Sequence, residues 1–369
     1  MFAKNRSRLK GMAALAAAML LVSACGGSDD AAPEPTAPAP APVAPAPEAE
    51  VDPLDALYAL ALQEDGPVIW YESSPEAMAE QIIAAFNARF PDIVVEHRRS
   101  PGGTDIAALV VQEVEANART ADVTGASLEL QAQLDGRGLL MPIDPVELGI
   151  EFEGTIYAEK IIALTHALGV AVWNTELVSA DEAPRSWEDL ADPKWAGEMG
   201  SFERAGLLVV GLTEEWGREA VEDWVKRFAS LEPFYYTSTF AMAGDVAAGI
   251  RKVGLGIHHT TLNEINQGAP VDFALLDPTA PVTVSLAILE SSPVPNSAKL
   301  LVGWLASQEG AIAYEQATER GNLFVPGTRA ATLLGDITVA EIPYSDVARM
   351  GDLIAAYDEL FWSAGVRGN

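Results

Sequence analysis

From Pro67 onward, short apolar runs alternate with segments of helical spacing, and this alternation limits the fold more than any other feature of the chain. Residues 67–71 predict a strand. Ser74-Pro75-Glu76 then opens a helix to about residue 90, with Ser74 as N-cap and Pro75 at the first helical position. Residues 93–96 predict a second strand, Pro101-Gly102-Gly103 a turn, and 105–118 a second helix. Residues 121–123 give a third strand, followed by a helix through Leu134 and a break at 136–138. A βαβαβα succession implies a parallel sheet covered on both faces. A second set follows, with strands at 168–173, 198–202, 253–257 and 282–289. Its helices are expected at 206–212, 218–229, 240–248, 298–306, 308–318 and 347–362. No internal repeat at a solenoid period is visible.

The 369 residues hold a single cysteine, Cys25, so no disulfide can staple the fold and a large apolar core has to carry it. Cys25 closes the run Leu21-Val22-Ser23-Ala24-Cys25 behind a basic start (Lys4, Arg6, Arg8, Lys10) and an apolar stretch. That layout predicts a secretory signal over 1–24, and its apolar stretch is shorter than the roughly 20 residues a bilayer span requires. The run also resembles the lipobox of bacterial lipoproteins, which implies lipidation of Cys25 and a membrane anchor. Residues 25–52 carry Pro33, Pro35, Pro38, Pro40, Pro42, Pro45 and Pro47 among Ala, Glu and Ser, and read as a disordered stalk. Removing the signal takes away four positive charges and no acids, which moves the formal charge from -30 to -34. A surface so acidic argues against nucleic acid and anionic lipid as partners.

Several ordered pieces then bring a family into view: Tyr71-Glu72-Ser73-Ser74, Ala84-Ala85-Phe86, Ala121-Asp122-Val123 and Gly138-Leu139-Leu140. They continue with Trp173-Asn174-Thr175, Ser186 to Leu190, Asp192 to Trp195, Ala287 to Leu289, Ala298-Lys299-Leu300 and Ser307 to Gly310. The chain resembles the periplasmic solute-binding proteins of bacterial ABC importers, in the group of ferric-iron, thiamine and aminoethylphosphonate binders. The resemblance implies an α/β, two-lobed type II periplasmic binding protein fold, each lobe a mainly parallel sheet flanked by helices. A ligand cleft lies between the lobes, crossed by two strands near 169–173 and 282–289. The expected first lobe is 53–168 plus 284–330, the second 169–283, and the tail 331–369 stays unassigned. The implied mechanism is hinge closure on a solute followed by docking on a membrane permease.

Ligands of open α/β sheets sit beyond the carboxyl ends of the strands, which points to the loops there. Tyr71, Ser73 and Ser74 offer hydroxyls after the first strand, although Ser74 serves equally as a cap. Gly102, Gly103 and Thr104 let backbone N–H groups approach an anion, as a plain turn also would. Ser127 stands at the same level after the third strand. The resemblance makes Glu203-Arg204-Ala205-Gly206 a helix opening where the family often binds an anion, with Arg204 as a bidentate partner or an exposed ion pair with Glu203. Tyr236, Ser238 and Thr239 form an aromatic, hydroxyl-bearing turn. His258 and His259 make up half of the four histidines and follow the strand 253–257. In ferric relatives an adjacent tyrosine pair ligates iron near this point, whereas this chain has His259 and Thr260 there, and Pro75 and Ser127 at the other two ligand positions. Imidazoles favour Zn²⁺, Cu²⁺ or Ni²⁺ over Fe³⁺, and no third ligand is evident.

No nucleophile elbow, His-Glu-x-x-His, phosphate loop or dinucleotide fingerprint occurs, so an enzyme is not expected, and no cofactor is called for. The expected protein is an anchored monomer that captures a small polar, anionic or zwitterionic solute for an ABC permease. The alternatives are a metal binder of the same fold centred on His258 and His259, and a sensor lipoprotein uncoupled from transport.

Overall fold

The computed structural model describes residues 52–100, 105–152 and 154–364, and the backbone of 366–367. The signal segment, Cys25, the Pro-rich stretch up to residue 51, and Gly102, Gly103 and Thr104 lie outside the described residues. Two six-stranded sheets organise the body. The first contains β1 (Val68–Glu72), β2 (Val95–Arg99), β3 (Val123–Ser127), β4 (Ile156–Tyr157), β5 (Ile161–Ala167) and β11 (Val282–Ile288), in the order β2-β1-β3-β11-β5-β4. The second contains β6 (Gly169–Asn174), β7 (Met199–Phe202), β8 (Phe234–Tyr236), β9 (Val253–Ile257), β10 (Val271–Leu275) and β12 (Val366–Arg367), in the order β10-β6-β9-β7-β8-β12.

The parallel part of each sheet comes from strand–helix–strand units. In the first, β1 pairs in parallel with β2 and β3; in the second, β7 pairs in parallel with β8 and β9. The expected βαβαβα order therefore stands. Side chains alternate along β1, sending Val68 and Trp70 to one face and Ile69 and Tyr71 to the other. Both faces are buried: helices Glu76–Arg89 and Pro295–Ala306 cover the first, with Phe86 and Trp304 in edge contact, and Ile106–Glu115 covers the second. A covered parallel sheet reads as a continuous apolar strand, and every residue of β1 is buried. The second lobe has its own core around Trp187, Trp224, Phe228 and Phe361, whose rings meet edge-on or stacked.

Two strand pairs carry the chain between the sheets. β5 runs into β6 across Leu168 alone, so 161–174 is nearly one strand that leaves one sheet and enters the other. β10 returns to β11 through 276–281. A third passage is the tail: after the helix Gln308–Thr318, which packs on Glu76–Arg89, the chain reaches the second sheet. There the helix Val347–Phe361 packs on Arg218–Ala229, and β12 extends the sheet beside β8.

Some expected boundaries move. The first expected helix begins at Glu76 with Pro75 as its cap and no side-chain bond, so Ser74 is not the N-cap. The residues after β9 continue as the helix His258–Asn266, and Tyr235-Tyr236 belong to β8 rather than to a turn.

Candidate functional site

At the end of β1, Glu72 is fully buried. Its carboxylate accepts bonds from the Ser74 backbone N–H (2.6 Å), the Ser73 hydroxyl (3.2 Å) and the Tyr314 hydroxyl (3.2 Å). Burial pushes this carboxyl up, but His97, the two bonds from Ser74 and the Arg320 charge outweigh it and hold the group below its ordinary range. Space for it exists because β3 carries Gly125 alongside: a Cβ there would lie 2.6 Å from Glu72 Cγ. The charge of Glu72 thus fixes the shape of the Ser73-Ser74 loop.

Beyond this loop a cavity of about 270 Å³ opens between the lobes. Ser73, Ser127, Glu129 and Leu130 line it from the first lobe, Arg204 and Leu207 from the second, and Val282 and Val284 of β11 from between them. Ser127 ends β3, and Glu129 lies in the first turn of the helix Leu128–Asp135. Arg204 follows β7, ahead of the short helix Gly206–Val209. Its guanidinium is exposed and makes no hydrogen bond or ion pair among the described residues, with Glu203 or any other. A neighbouring space of about 40 Å³ shares Glu129, Leu207 and Val282 with this cavity and reaches Tyr157 and Glu341. It has room for little more than water.

The N-terminus of the Gly206 helix, expected to bind an anion, already has one. Asp358, in the tail helix, accepts the Gly206 N–H at 2.7 Å. A Cβ at position 206 would lie 2.5 Å from the Ile354 carbonyl oxygen and 2.7 Å from Asp358 Oδ1, so the site is sealed by backbone contact. Burial raises the Asp358 carboxyl to about 6, against the pull of the Gly206 N–H and the Arg204 charge.

Of the residues singled out from sequence, Ser73, Ser127 and Arg204 meet at the cavity. Tyr71 does not. Strand alternation turns it under the helix Ile106–Glu115, where its hydroxyl bonds Glu113 at 3.1 Å and receives an Arg98 N–H at 3.3 Å. Ser74 is buried, with its hydroxyl 3.3 Å from that of Tyr314. Tyr236 also turns away: it packs with Met242 and Val246, and its hydroxyl donates to Asp245 at 2.6 Å. Ser238 caps the helix Thr239–Ala247, and Thr239 is half-buried in that helix's first turn.

His258 and His259 are buried at the start of their helix, and neither lines the cavity. His258 Nδ1 accepts the N–H of Leu168, the residue between β5 and β6, at 3.1 Å. Its imidazole is therefore a brace under the crossing. His166, on β5, similarly accepts the Leu323 N–H at 3.2 Å. Burial pushes His166 down to about 3 and His258 to about 4, with His259 also well below its ordinary value. Among the described residues no group of three or more His, Cys, Asp or Glu is placed to hold a metal ion. Among the described residues the metal-centred alternative thus has two imidazoles and no further ligand beside them, and Ser127 supplies no carboxylate.

Glu129 and Arg320 escape a sequence reading. Glu129 is one acid among many, and only the cavity singles it out. Arg320 is half-buried beyond the helix Gln308–Thr318 and has no side-chain hydrogen bond among the described residues, while its charge acts on Glu72, Tyr314 and His259.

Comparison with known proteins agrees with this architecture. Residues 149–320 match the family of bacterial extracellular solute-binding proteins. The major ferric iron-binding protein of Neisseria gonorrhoeae is 27% identical over 166 residues, which span 40% of this chain and 48% of that protein. Iron-bound HitA of Pseudomonas aeruginosa superposes with a TM-score of 0.68 at 19% identity, covering 80% of this chain and 99% of HitA. AfuA of Actinobacillus pleuropneumoniae with fructose-6-phosphate bound gives 0.65 at 22% identity, covering 81% and 100%. The fold is that of a type II periplasmic binding protein. Over its middle part the chain is thus similar to the bacterial extracellular solute-binding proteins.

Proposed function

We propose that this protein captures a small organic solute, anionic or zwitterionic, in the cavity between its lobes and delivers it to an ABC permease. The observation that carries the reading is Arg204: a guanidinium on one lobe with no hydrogen bond or ion pair among the described residues, facing a cavity that the other lobe lines with Ser73 and Ser127. A planar fork of N–H donors suits a carboxylate, phosphate or phosphonate held two-pronged. The two narrow crossings at Leu168 and 276–281 supply the hinge, and closure around the solute marks the loaded state for a permease. The HitA and AfuA structures hold iron and a sugar phosphate in the same fold, and the absence of a metal-ligand cluster among the described residues favours the organic class here. Cys25, with its lipobox-like run, would hold the chain at a membrane surface through a lipid.

Thermal unfolding against carboxylates, phosphate esters, phosphonates and amino acids tests the reading. A solute at 100 times its Kd stabilises by about 2.7 kcal/mol, and Arg204→Gln should remove that shift. If no compound stabilises the protein, the reading fails. Mass spectrometry of chain extracted from membranes should find diacylglycerol on Cys25, and Cys25→Ala should release the protein.

A further inference from the structure

Resting on that reading, the cavity shows a second charge that the ligand has to answer. Glu129 faces the same space as Arg204 from the opposite lobe, half-buried, with no hydrogen bond or ion pair among the described residues. The two are not paired with each other either. In water both charges are hydrated; closing the lobes strips that water, and an uncompensated charge then costs several kcal/mol. A ligand bearing only an anion would satisfy Arg204 and bring a second negative charge toward Glu129. Besides Ser73 and Ser127, the same space is lined by the apolar side chains of Leu130, Leu207, Val282 and Val284. The volume of about 270 Å³ falls just under the usual range of drug-sized ligand sites, about 300–1,000 Å³.

We infer that the ligand is a small zwitterion whose anionic group lies on Arg204, whose ammonium group lies on Glu129, and whose aliphatic spacer lies on Leu207 and Val282. Glu129 is then the residue that separates a zwitterion from a plain anion of equal length.

Calorimetric titration of the full chain tests this with two matched sets: 5-aminopentanoate, pentanoate and pentylamine, and 3-aminopropylphosphonate with propylphosphonate. In at least one set the zwitterion should bind ten times more tightly than its anion. In Glu129→Gln that ratio should fall below threefold, because the zwitterion loses its partner and the anion sheds a repulsion. Glu129→Asp should give an intermediate ratio, and the melting temperature without solute shows that both variants fold. An anion that binds as well as its zwitterion, or a ratio untouched by Glu129→Gln, overturns this inference and leaves the solute-binding reading intact. If no probe binds, this inference falls, and the wider thermal panel decides the solute-binding reading.

Discussion

At the scale of single residues, Asp358 and Gly206 show how a distant segment settles local chemistry. They are 152 positions apart, and their 2.7 Å bond fills a helix start that looks open in the sequence. The buried Asp358 carboxyl has its midpoint near 6, above the unfolded value of 3.8. Its stabilising contribution is therefore complete below about pH 3.8 and lost as pH rises through 6. Asp358→Asn keeps an acceptor for Gly206 and removes the ionisation. We expect the variant to exceed the wild type by about 1–3 kcal/mol at pH 8 and to match it near pH 4, read from urea midpoints. Gly206→Ala should destabilise by about 1–3 kcal/mol, because the added methyl meets a backbone carbonyl that cannot swing aside. A variant as stable as the wild type would refute that close contact.

At the scale of elements, the sequence made the core strands and helices legible and the turning points obscure. Periodicity marks Glu76–Arg89, Arg218–Ala229 and Gln308–Thr318 because each buries one face. β5 escapes it because Ile161 to Trp173 is apolar but for Thr165 and His166, and only the fold shows where that stretch changes sheets. The lining of the cavity was legible where a loop follows a parallel strand, as at Ser73, Ser127 and Arg204. It was illegible where strand alternation decides the side, as at Tyr71, or where an acid has no distinguishing neighbours, as at Glu129. The buried histidines yield a prediction for the crossing. His166, His258 and His259 are neutral when folded, and each takes up a proton when unfolded below about pH 6.5. Stability should fall as pH drops from 6.5 toward 4, each contributing a slope of up to about 1.4 kcal/mol per unit against the opposite slope of Asp358. His258→Gln should flatten that decline in a series of urea melts, and an unchanged slope would show that His258 is not held neutral.

For the whole molecule, hinge closure makes a prediction about shape. Asn266, in the second lobe, donates to Glu319 Oε1 at 3.1 Å, and Glu319 also pairs with Arg329, so a polar contact already spans the lobes. Small-angle scattering should show a smaller radius of gyration on saturation with a bound solute, and Asn266→Ala should weaken the apparent affinity by a few fold. Identical profiles with and without a bound solute would rule out closure.

The tail adds a constraint on manufacture. Tyr235 donates to the Phe361 carbonyl at 2.5 Å, Trp362 donates to the Glu203 carbonyl at 2.8 Å, and the Phe361 ring packs on Trp224 and Phe228. The lobe that begins at Gly169 is thus finished by a segment far along the chain, and that half cannot set until the helix Val347–Phe361 has left the ribosome. A nascent chain halted before Val347 would leave the Trp224 and Phe228 rings without that cover.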